Sequence, residues 1–201
     1  MVRVSADTKQ ATRARLLAAA AGEFGRTGLE RANIDAISLA AGYAKGTIYN
    51  YFPSKEELFL AVVEEASAQA AAVSAVPSQA PARERLRATL AGFCSWAREH
   101  DSFARVLVRE CLMGTPGLYS QVIAAEAPIT GRLEAILRDG TSRRELRADV
   151  SPELLALAVS GLTDLALVQH WASGGTRPTL EEIPDIVLTL LLGPEVAEKA
   201  P

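Results

Sequence analysis

One stretch decides the fold of this chain: residues 41–58 read AGYAKGTIYNYFPSKEEL. Gly42 marks a tight turn, because glycine adopts left-handed backbone conformations at little steric cost. Ile48 and Phe52 lie four residues apart, which places both side chains on one face of a short helix, and Pro53 ends that helix. Two short helices joined at a glycine turn are typical of a helix-turn-helix, whose second helix enters the major groove of DNA.

The residues on either side of this motif also predict helices. The first helix is expected over about 7–26, where apolar side chains recur every three or four residues, and Gly28 marks its end. Asn33 is the expected N-cap of the second helix, and the third helix is expected over about 44–52. A capping box at residues 54–57 then opens a fourth helix that runs to about residue 73.

The second helix of the motif carries polar side chains on the sides that do not face its two apolar residues. Ammonium, hydroxyl and amide groups bond phosphates and base edges, and a glycine lets the backbone approach DNA closely. Tyr49 and Tyr51 have a second interpretation, in which they only pack the small domain. The candidate DNA contacts on this helix are Lys45, Gly46, Thr47, Tyr49, Asn50 and Tyr51. Of these, Lys45 is expected to contact a phosphate.

The charge is unevenly distributed along the chain. Residues 1–55 carry eight basic and four acidic side chains, a net charge of +4, whereas the remainder carries −7, so that the whole chain is at −3. A basic N-terminal segment on an acidic body indicates a polyanionic partner. On charge alone, uneven solvation of the surface explains the pattern equally well.

Residues 41–58 resemble the recognition segment of the tetracycline-repressor (TetR) family, which typically reads A-G-V-S-K-G-T-L-Y-x-[YH]-F-x-[SN]-K-E-x-L, and the similarity extends over residues 8–65. The resemblance implies a homodimeric, mostly repressing regulator that a small ligand releases from a palindromic double-stranded DNA operator. By position it adds Asn33 and Lys55 to the candidate DNA-binding residues, Lys55 as a phosphate contact. The departures from the family pattern are Tyr43, Ala44, which loses a capping side chain, and Asp35, which is expected to repel a nearby phosphate.

The rest of the chain predicts an all-α body. Residues 76–81 read as a linker, and helices are expected at about 82–99, 102–113, 118–138 and 152–173, with a last one ending near residue 192. We therefore divide the chain into a three-helix helix-turn-helix domain and a C-terminal helical ligand-binding and dimerisation bundle. The division assigns residues 1–54 to the first and 55–201 to the second, which begins with a connecting helix at 55–73 and a linker at 74–81.

The two C-terminal helices are apolar over a wide arc. Residues 154–168 are apolar almost all round, and a helix that is apolar on every side is buried on every side. No predicted sheet covers them, so we expect a homodimer that pairs both helices of each protomer in a four-helix bundle. The resemblance implies the same dimer interface.

Aromatic and polar side chains on apolar faces of the body indicate a pocket for a small hydrophobic ligand. The alternative is that the aromatic residues form an ordinary core. The candidate lining residues are Phe93, Trp96, Phe103, Leu107, Cys111, Tyr119 and Trp171, with Asp164 and Gln169 as polar anchors.

Other classes of function find little support in the sequence. With two histidines and no nucleophile or nucleotide-binding motif, we expect no catalytic residue, no metal and no cofactor. The N-terminus lacks a signal-peptide pattern and no apolar run reaches the roughly 20 residues of a membrane span, so a cytoplasmic protein without a membrane partner is expected. Cys94 and Cys111 fit packing, or else a thiol switch. The remaining alternatives are a regulator without an inducer, a helical ligand-binding protein or enzyme that uses only the body, and a helical protein-interaction module.

Overall fold

A computed structural model of the chain describes residues 6–72 and 79–193. Within these ranges the backbone forms α-helices and turns and no strand, which confirms the all-α fold. A single turn of 3-10 helix, Thr47–Asn50, lies between the second and third α-helices. The α-helices are α1 (Ala6–Arg31), α2 (Ile34–Ala40), α3 (Lys55–Ala72), α4 (Ala82–Glu99), α5 (Asp101–Met113), α6 (Tyr119–Ser142), α7 (Pro152–Ala172) and α8 (Ile183–Leu192).

Gly28 breaks α1 where the sequence predicts the end of the first helix: its φ of 75° and ψ of 169° are not helical, and a short helical segment then continues to Arg31. One predicted helix differs from the structure. The predicted third helix over 44–52 is only the 3-10 turn, because Gly46 immediately before it has a left-handed φ of 89° and Ala44 offers no capping side chain. Residues 73–78, which include most of the predicted linker, lie outside the described residues.

The chain forms two compact units. The first contains the residues up to Ala68 together with His100–Ala125, so it combines α1, α2, the 3-10 turn and most of α3 with α5. Its core holds an edge-to-face pair of Phe24 and Phe59, with ring centroids 5.2 Å apart. α1 lies close to α5 because Gly25 has no side chain: a Cβ there would lie 3.1 Å from the carbonyl oxygen of Ser102.

The second unit comprises Gln69–Glu99 and the residues from Glu126 onward, and therefore contains α4, α7 and α8. α8 packs against both α4 and α7. The Arg87 guanidinium donates two hydrogen bonds to the Asp185 carboxylate, at 2.7 and 2.9 Å, and so ties α4 to α8. Ser151 caps α7: its hydroxyl accepts a hydrogen bond from the Leu154 N–H at 3.3 Å. The division into a DNA-binding domain that ends at residue 54 and a ligand-binding domain that begins at residue 55 remains a prediction.

One face of α7 remains uncovered in the protomer. Leu154, Leu157 and Leu165 recur at helical spacing and are all exposed, whereas Leu155, Val159 and Leu167 on the other side are buried. Among the described residues α7 is the one helix long and apolar enough to cross a membrane by length and composition. A helix that is covered on one side by its own unit and on the other by a second protein has the same composition.

Candidate nucleic-acid interface

Helix α2 begins at a well-formed cap. The Asn33 side-chain oxygen accepts hydrogen bonds from the Asp35 N–H at 2.9 Å and the Ala36 N–H at 3.2 Å. The Asn33 N–H in turn donates to the Glu23 carboxylate at 3.2 Å, which joins the start of α2 to α1. The side-chain oxygen of Asn33 is therefore committed to capping the helix, and the contact of this residue with DNA remains a prediction.

The turn of the motif is held against α1. Gly42 has a left-handed φ of 80°, as the sequence predicts for this position. The hydroxyl of the next residue, Tyr43, donates a hydrogen bond to the Thr12 hydroxyl at 3.2 Å. The tyrosine that departs from the family pattern thus has a polar partner, and its contact fixes where the chain turns toward the 3-10 helix.

The 3-10 helix separates buried from exposed residues. Ile48 and Phe52 are buried, and the Arg13 guanidinium lies over the Phe52 ring at 5.4 Å from its centroid. Tyr49 is 55% exposed and Asn50 is also exposed, while Thr47 and Tyr51 are half-buried. Of the side chains on this element that the sequence assigns to DNA, Tyr49 and Asn50 therefore lie on the outer side of the motif, whereas Thr47 and Tyr51 are only partly accessible.

Lys45 forms an ion pair that the sequence analysis did not predict. Its Nζ lies 2.6 Å from Oδ2 of Asp35, and the two side chains are 75% and 40% exposed. The hydrogen bond to Asp35, together with the charge of that carboxylate, raises the pKa of the Lys45 ammonium above its usual value. The pair joins the start of α2 to the segment just before the 3-10 helix. No local signal indicates it, because the partners are far enough apart in sequence that only the folded turn brings them together.

Lys55 lies at the start of α3 and contacts the protein backbone. Its Nζ donates a hydrogen bond to the Glu30 carbonyl oxygen at 3.0 Å, near the end of α1. The capping box predicted beside it is half formed, since the Ser54 hydroxyl accepts from the Glu57 N–H at 3.1 Å. Lys55 thus links α3 to α1, and its contact with a phosphate remains a prediction.

The predicted ligand-binding residues fall into three groups by exposure. Trp96, Leu107 and Asp164 are buried, Phe93, Phe103 and Trp171 are half-buried, and Cys111, Tyr119 and Gln169 are exposed. Within the second unit the Phe93 and Trp96 rings stack with centroids 5.6 Å apart, and the Trp96 indole donates a hydrogen bond to Gln69 at 3.4 Å. The pocket that these residues would line together remains a prediction.

The two cysteines differ in their surroundings. Cys94 is buried, and burial together with the charge of Glu181 raises the pKa of its thiol to about 12. It therefore stays a protonated packing residue at physiological pH. Cys111 is exposed on α5.

A cleft of about 200 Å³ in the first unit lies between the end of α1 and the end of α5, and sequence reasoning missed it. The Arg109 guanidinium fills the space beside Gly28, where a Cβ would lie 2.6 Å from Nη2. On the α5 side, the buried Glu110 carboxylate accepts a hydrogen bond from the Thr115 hydroxyl at 2.6 Å. Only the packing of two distant segments creates these contacts, so no sequence pattern points to them.

The comparisons with known proteins cover both parts of the chain. Residues 16–62 match a family model described as bacterial regulatory proteins of the tetR family, and residues 79–193 match one described as a tetracyclin repressor-like C-terminal domain. The HTH-type transcriptional activator FasR of Mycolicibacterium smegmatis is 30% identical over 151 residues, which cover 73% of this chain and 68% of FasR. The HTH-type transcriptional repressor SCO4008 of Streptomyces coelicolor is 42% identical over 62 residues, covering 31% and 32% of the two chains.

Solved structures show the same fold. The transcriptional regulator FadR from Bacillus subtilis, crystallised in complex with stearoyl-CoA, matches with a TM-score of 0.76 at 22% identity, covering 90% of this chain and 99% of FadR. The TetR family regulator PfmR from Thermus thermophilus matches with a TM-score of 0.71 at 24% identity, covering 91% and 100%. At these identities the likeness is one of fold.

Proposed function

Because the chain belongs to the TetR family, whose members are DNA-binding transcriptional regulators and not enzymes, we propose that it is a cytoplasmic homodimer that represses transcription from a palindromic operator until a small hydrophobic molecule releases it. The observation that carries the proposal is the outer surface of the helix-turn-helix. Tyr49 and Asn50 are exposed there and belong to the net-positive segment of residues 1–55, while the apolar side of the same turn is buried.

The polar outer surface supports DNA binding through both backbone and base contacts. Hydroxyl and amide groups bond phosphates and base edges, and the residues at the start of a recognition helix are those that reach the bases. The proposed DNA-binding residues are Asn33, Lys45, Gly46, Thr47, Tyr49, Asn50, Tyr51 and Lys55.

The uncovered face of α7 supports a dimer. Leu157 is 67% exposed, and on α8 Leu190 is 68% exposed and Ile186 is exposed as well. Ala158 and Gly161 lie among the exposed leucines of α7, and a Cβ at Gly161 would meet no atom within 4 Å. Small residues inside an apolar face allow a second helix to approach closely. We infer that α7 and α8 of two protomers pair about a twofold axis.

A long acyl chain is the first ligand to test. A Bacillus subtilis protein named fatty acid metabolism regulator protein is 23% identical over 179 residues, covering 88% of this chain and 92% of that protein, and the FadR structure contains stearoyl-CoA. Phe93 in α4 is half-buried and stacks on the buried Trp96, so the Phe93 ring is the member of this pair that an apolar ligand can contact. Trp96 and Trp171 are the only tryptophans of the chain, and both are proposed to line the pocket. Titration with stearoyl-CoA should therefore change the tryptophan fluorescence of the protein.

The test of the proposed function is a gel shift with the DNA upstream of the protein's own gene. We expect wild type to form a discrete complex. Tyr49→Ala should bind about a hundredfold more weakly, because the proposed dimer loses one contact in each half-site and each contact is worth about 1.4 kcal/mol. Met113→Ala removes an exposed side chain outside the motif and should bind like wild type. Equal binding by all three proteins would contradict the assignment of the interface.

A promoter reporter separates repression from activation, which the similarity to the activator FasR makes a specific alternative. Deletion of the gene should raise expression from a repressed promoter and lower it from an activated one.

Adding the acyl-CoA to the gel shift tests whether the ligand releases the protein from DNA. By thermodynamic linkage, a ligand that weakens DNA binding a hundredfold must itself bind a hundredfold more weakly when DNA is present. A ligand that binds equally well with and without DNA is not an inducer.

A further inference from the structure

The Asp35–Lys45 ion pair places a carboxylate on the surface that faces DNA. Both side chains are exposed, and their charged atoms are 2.6 Å apart. A carboxylate beside a polyanion is unfavourable unless it has a partner, and the sequence alone predicts only repulsion of a phosphate. The ammonium of Lys45 removes that repulsion locally, so the pair is neutral as a unit while it still presents one acceptor and one donor.

Both partners are held in place by the fold. Asp35 lies in the first turn of α2, where its own N–H donates to the Asn33 cap at 2.9 Å. Lys45 immediately precedes Gly46, whose left-handed φ of 89° starts the 3-10 helix. A side chain that is already fixed in the free protein loses less conformational entropy on binding. The backbone on each side of the pair is therefore fixed in the free protein, and the ion pair itself joins the first helix of the motif to the residue that precedes the recognition element.

The chemistry of DNA limits what such a pair can bind. Phosphate oxygens only accept hydrogen bonds, so none of them can satisfy the acceptor of Asp35. In the major groove the donors are the exocyclic amines, and a carboxylate typically accepts from N4 of cytosine, whereas a lysine typically donates to O6 and N7 of guanine. These donor and acceptor groups lie side by side on the edge of a single G·C base pair.

We propose that Asp35 and Lys45 together read one G·C base pair in each operator half-site, with Lys45 donating to guanine and Asp35 accepting from cytosine. The inference rests on the proposed function as a DNA-binding regulator. It makes Asp35 a specificity-determining residue, although its negative charge taken alone predicts only repulsion of a phosphate. It also replaces the predicted contact of Lys45 with a phosphate by a contact with the base edge of guanine.

The salt dependence of binding should show this role. A neutral pair on a base edge displaces no counterion, whereas a free lysine on a phosphate steepens the slope of log K against log salt by about 0.9. In Asp35→Ala, Lys45 loses its partner and becomes available to the backbone. We therefore expect this variant to bind non-specific DNA more tightly and with a steeper salt slope than wild type.

The experiment is selection from a random double-stranded DNA library by wild type, Asp35→Ala and Asp101→Ala. Asp101 is a matched control because it lies in the first turn of α5 and forms an exposed ion pair with Arg105 at 2.7 Å, so its loss changes charge and helix start in the same way. Wild type and Asp101→Ala should select the same symmetric half-sites, with one G·C pair that Asp35→Ala no longer distinguishes. The expected loss of discrimination at that pair is about tenfold.

Several results would overturn the inference. Asp35→Ala could select the same bases as wild type at every position, or the only position that changes could be an A·T pair. If Asp101→Ala changed the selected sequence as much as Asp35→Ala did, the effect would be one of net charge. If wild type selected no sequence at all, the proposed function itself would be wrong. Circular dichroism of each variant establishes that folding is retained.

Discussion

Replacing Leu157 tests the dimer face directly, because this side chain is 67% exposed in the protomer. Complete burial of a leucine is worth about 1.5–3 kcal/mol, so covering the exposed two-thirds should give roughly 1–2 kcal/mol. A twofold interface contains the residue twice. Leu157→Ala should therefore weaken the dimer by roughly 2–4 kcal/mol, about 30- to 1,000-fold in its dissociation constant. Leu157→Glu should weaken it further, because each charge would be buried without a partner.

The measurement is sedimentation velocity over a range of protein concentrations, with thermal unfolding recorded on the same samples. Leu112→Ala and Leu112→Glu are matched controls, since Leu112 is also exposed, at 43%, but lies on α5 in the other unit. These variants should remain dimers. A wild-type monomer at micromolar concentration, or a Leu157→Glu dimer as tight as wild type, would refute the assignment of α7 to the interface. Val187 is unsuitable for this test although it lies on α8, because it is 1% exposed within the protomer and a charge there would unfold it.

Two further predictions concern the backbone and the thiols. Gly28→Ala should destabilise the protein by more than about 1 kcal/mol in thermal or urea unfolding, because its φ of 75° is strained for a residue with a Cβ, while the Arg109 guanidinium beside it can move. Gly131→Ala, in open space on α6, should be neutral or stabilising, and an equal loss in both variants would contradict this cause. A thiol reagent at about pH 8 should label Cys111 rapidly and Cys94 only on unfolding. The Cys94 side chain is buried, and its thiol pKa of about 12 leaves almost no thiolate to react. Equal labelling rates of the two cysteines in the native protein would be inconsistent with the burial and the raised pKa of Cys94.

The sequence predicts well those features that depend on neighbouring residues. Asn33 and Ser54 form the caps expected of them, because a cap is recognised within three or four residues. The buried pair Ile48 and Phe52 is likewise correct, since both residues follow the helical spacing.

Features that depend on distant contacts were not predictable. The Arg109 guanidinium lies beside Gly28, and Lys45 pairs with Asp35, although in neither contact are the two partners near neighbours in sequence. The length of the recognition element was overestimated for a different reason. Helical periodicity continues through 44–52, but it does not register that Gly46 adopts a left-handed conformation, which prevents a helix from starting earlier.

The dimer face and the ion pair together determine how such a protein would discriminate its operator. A surface with freely available lysines binds any DNA strongly, because its affinity comes from phosphates. Pairing Lys45 with Asp35 lowers that general attraction, and a single half-site then supplies too few contacts for tight binding. In the proposed dimer a second half-site would restore the affinity, but only where both half-sites present the required base pair. In a monomeric Leu157→Glu variant, specific binding should therefore fall more than non-specific binding, which a gel shift with and without competitor DNA would measure. If both fell equally, base reading in this protein would not depend on the twofold arrangement.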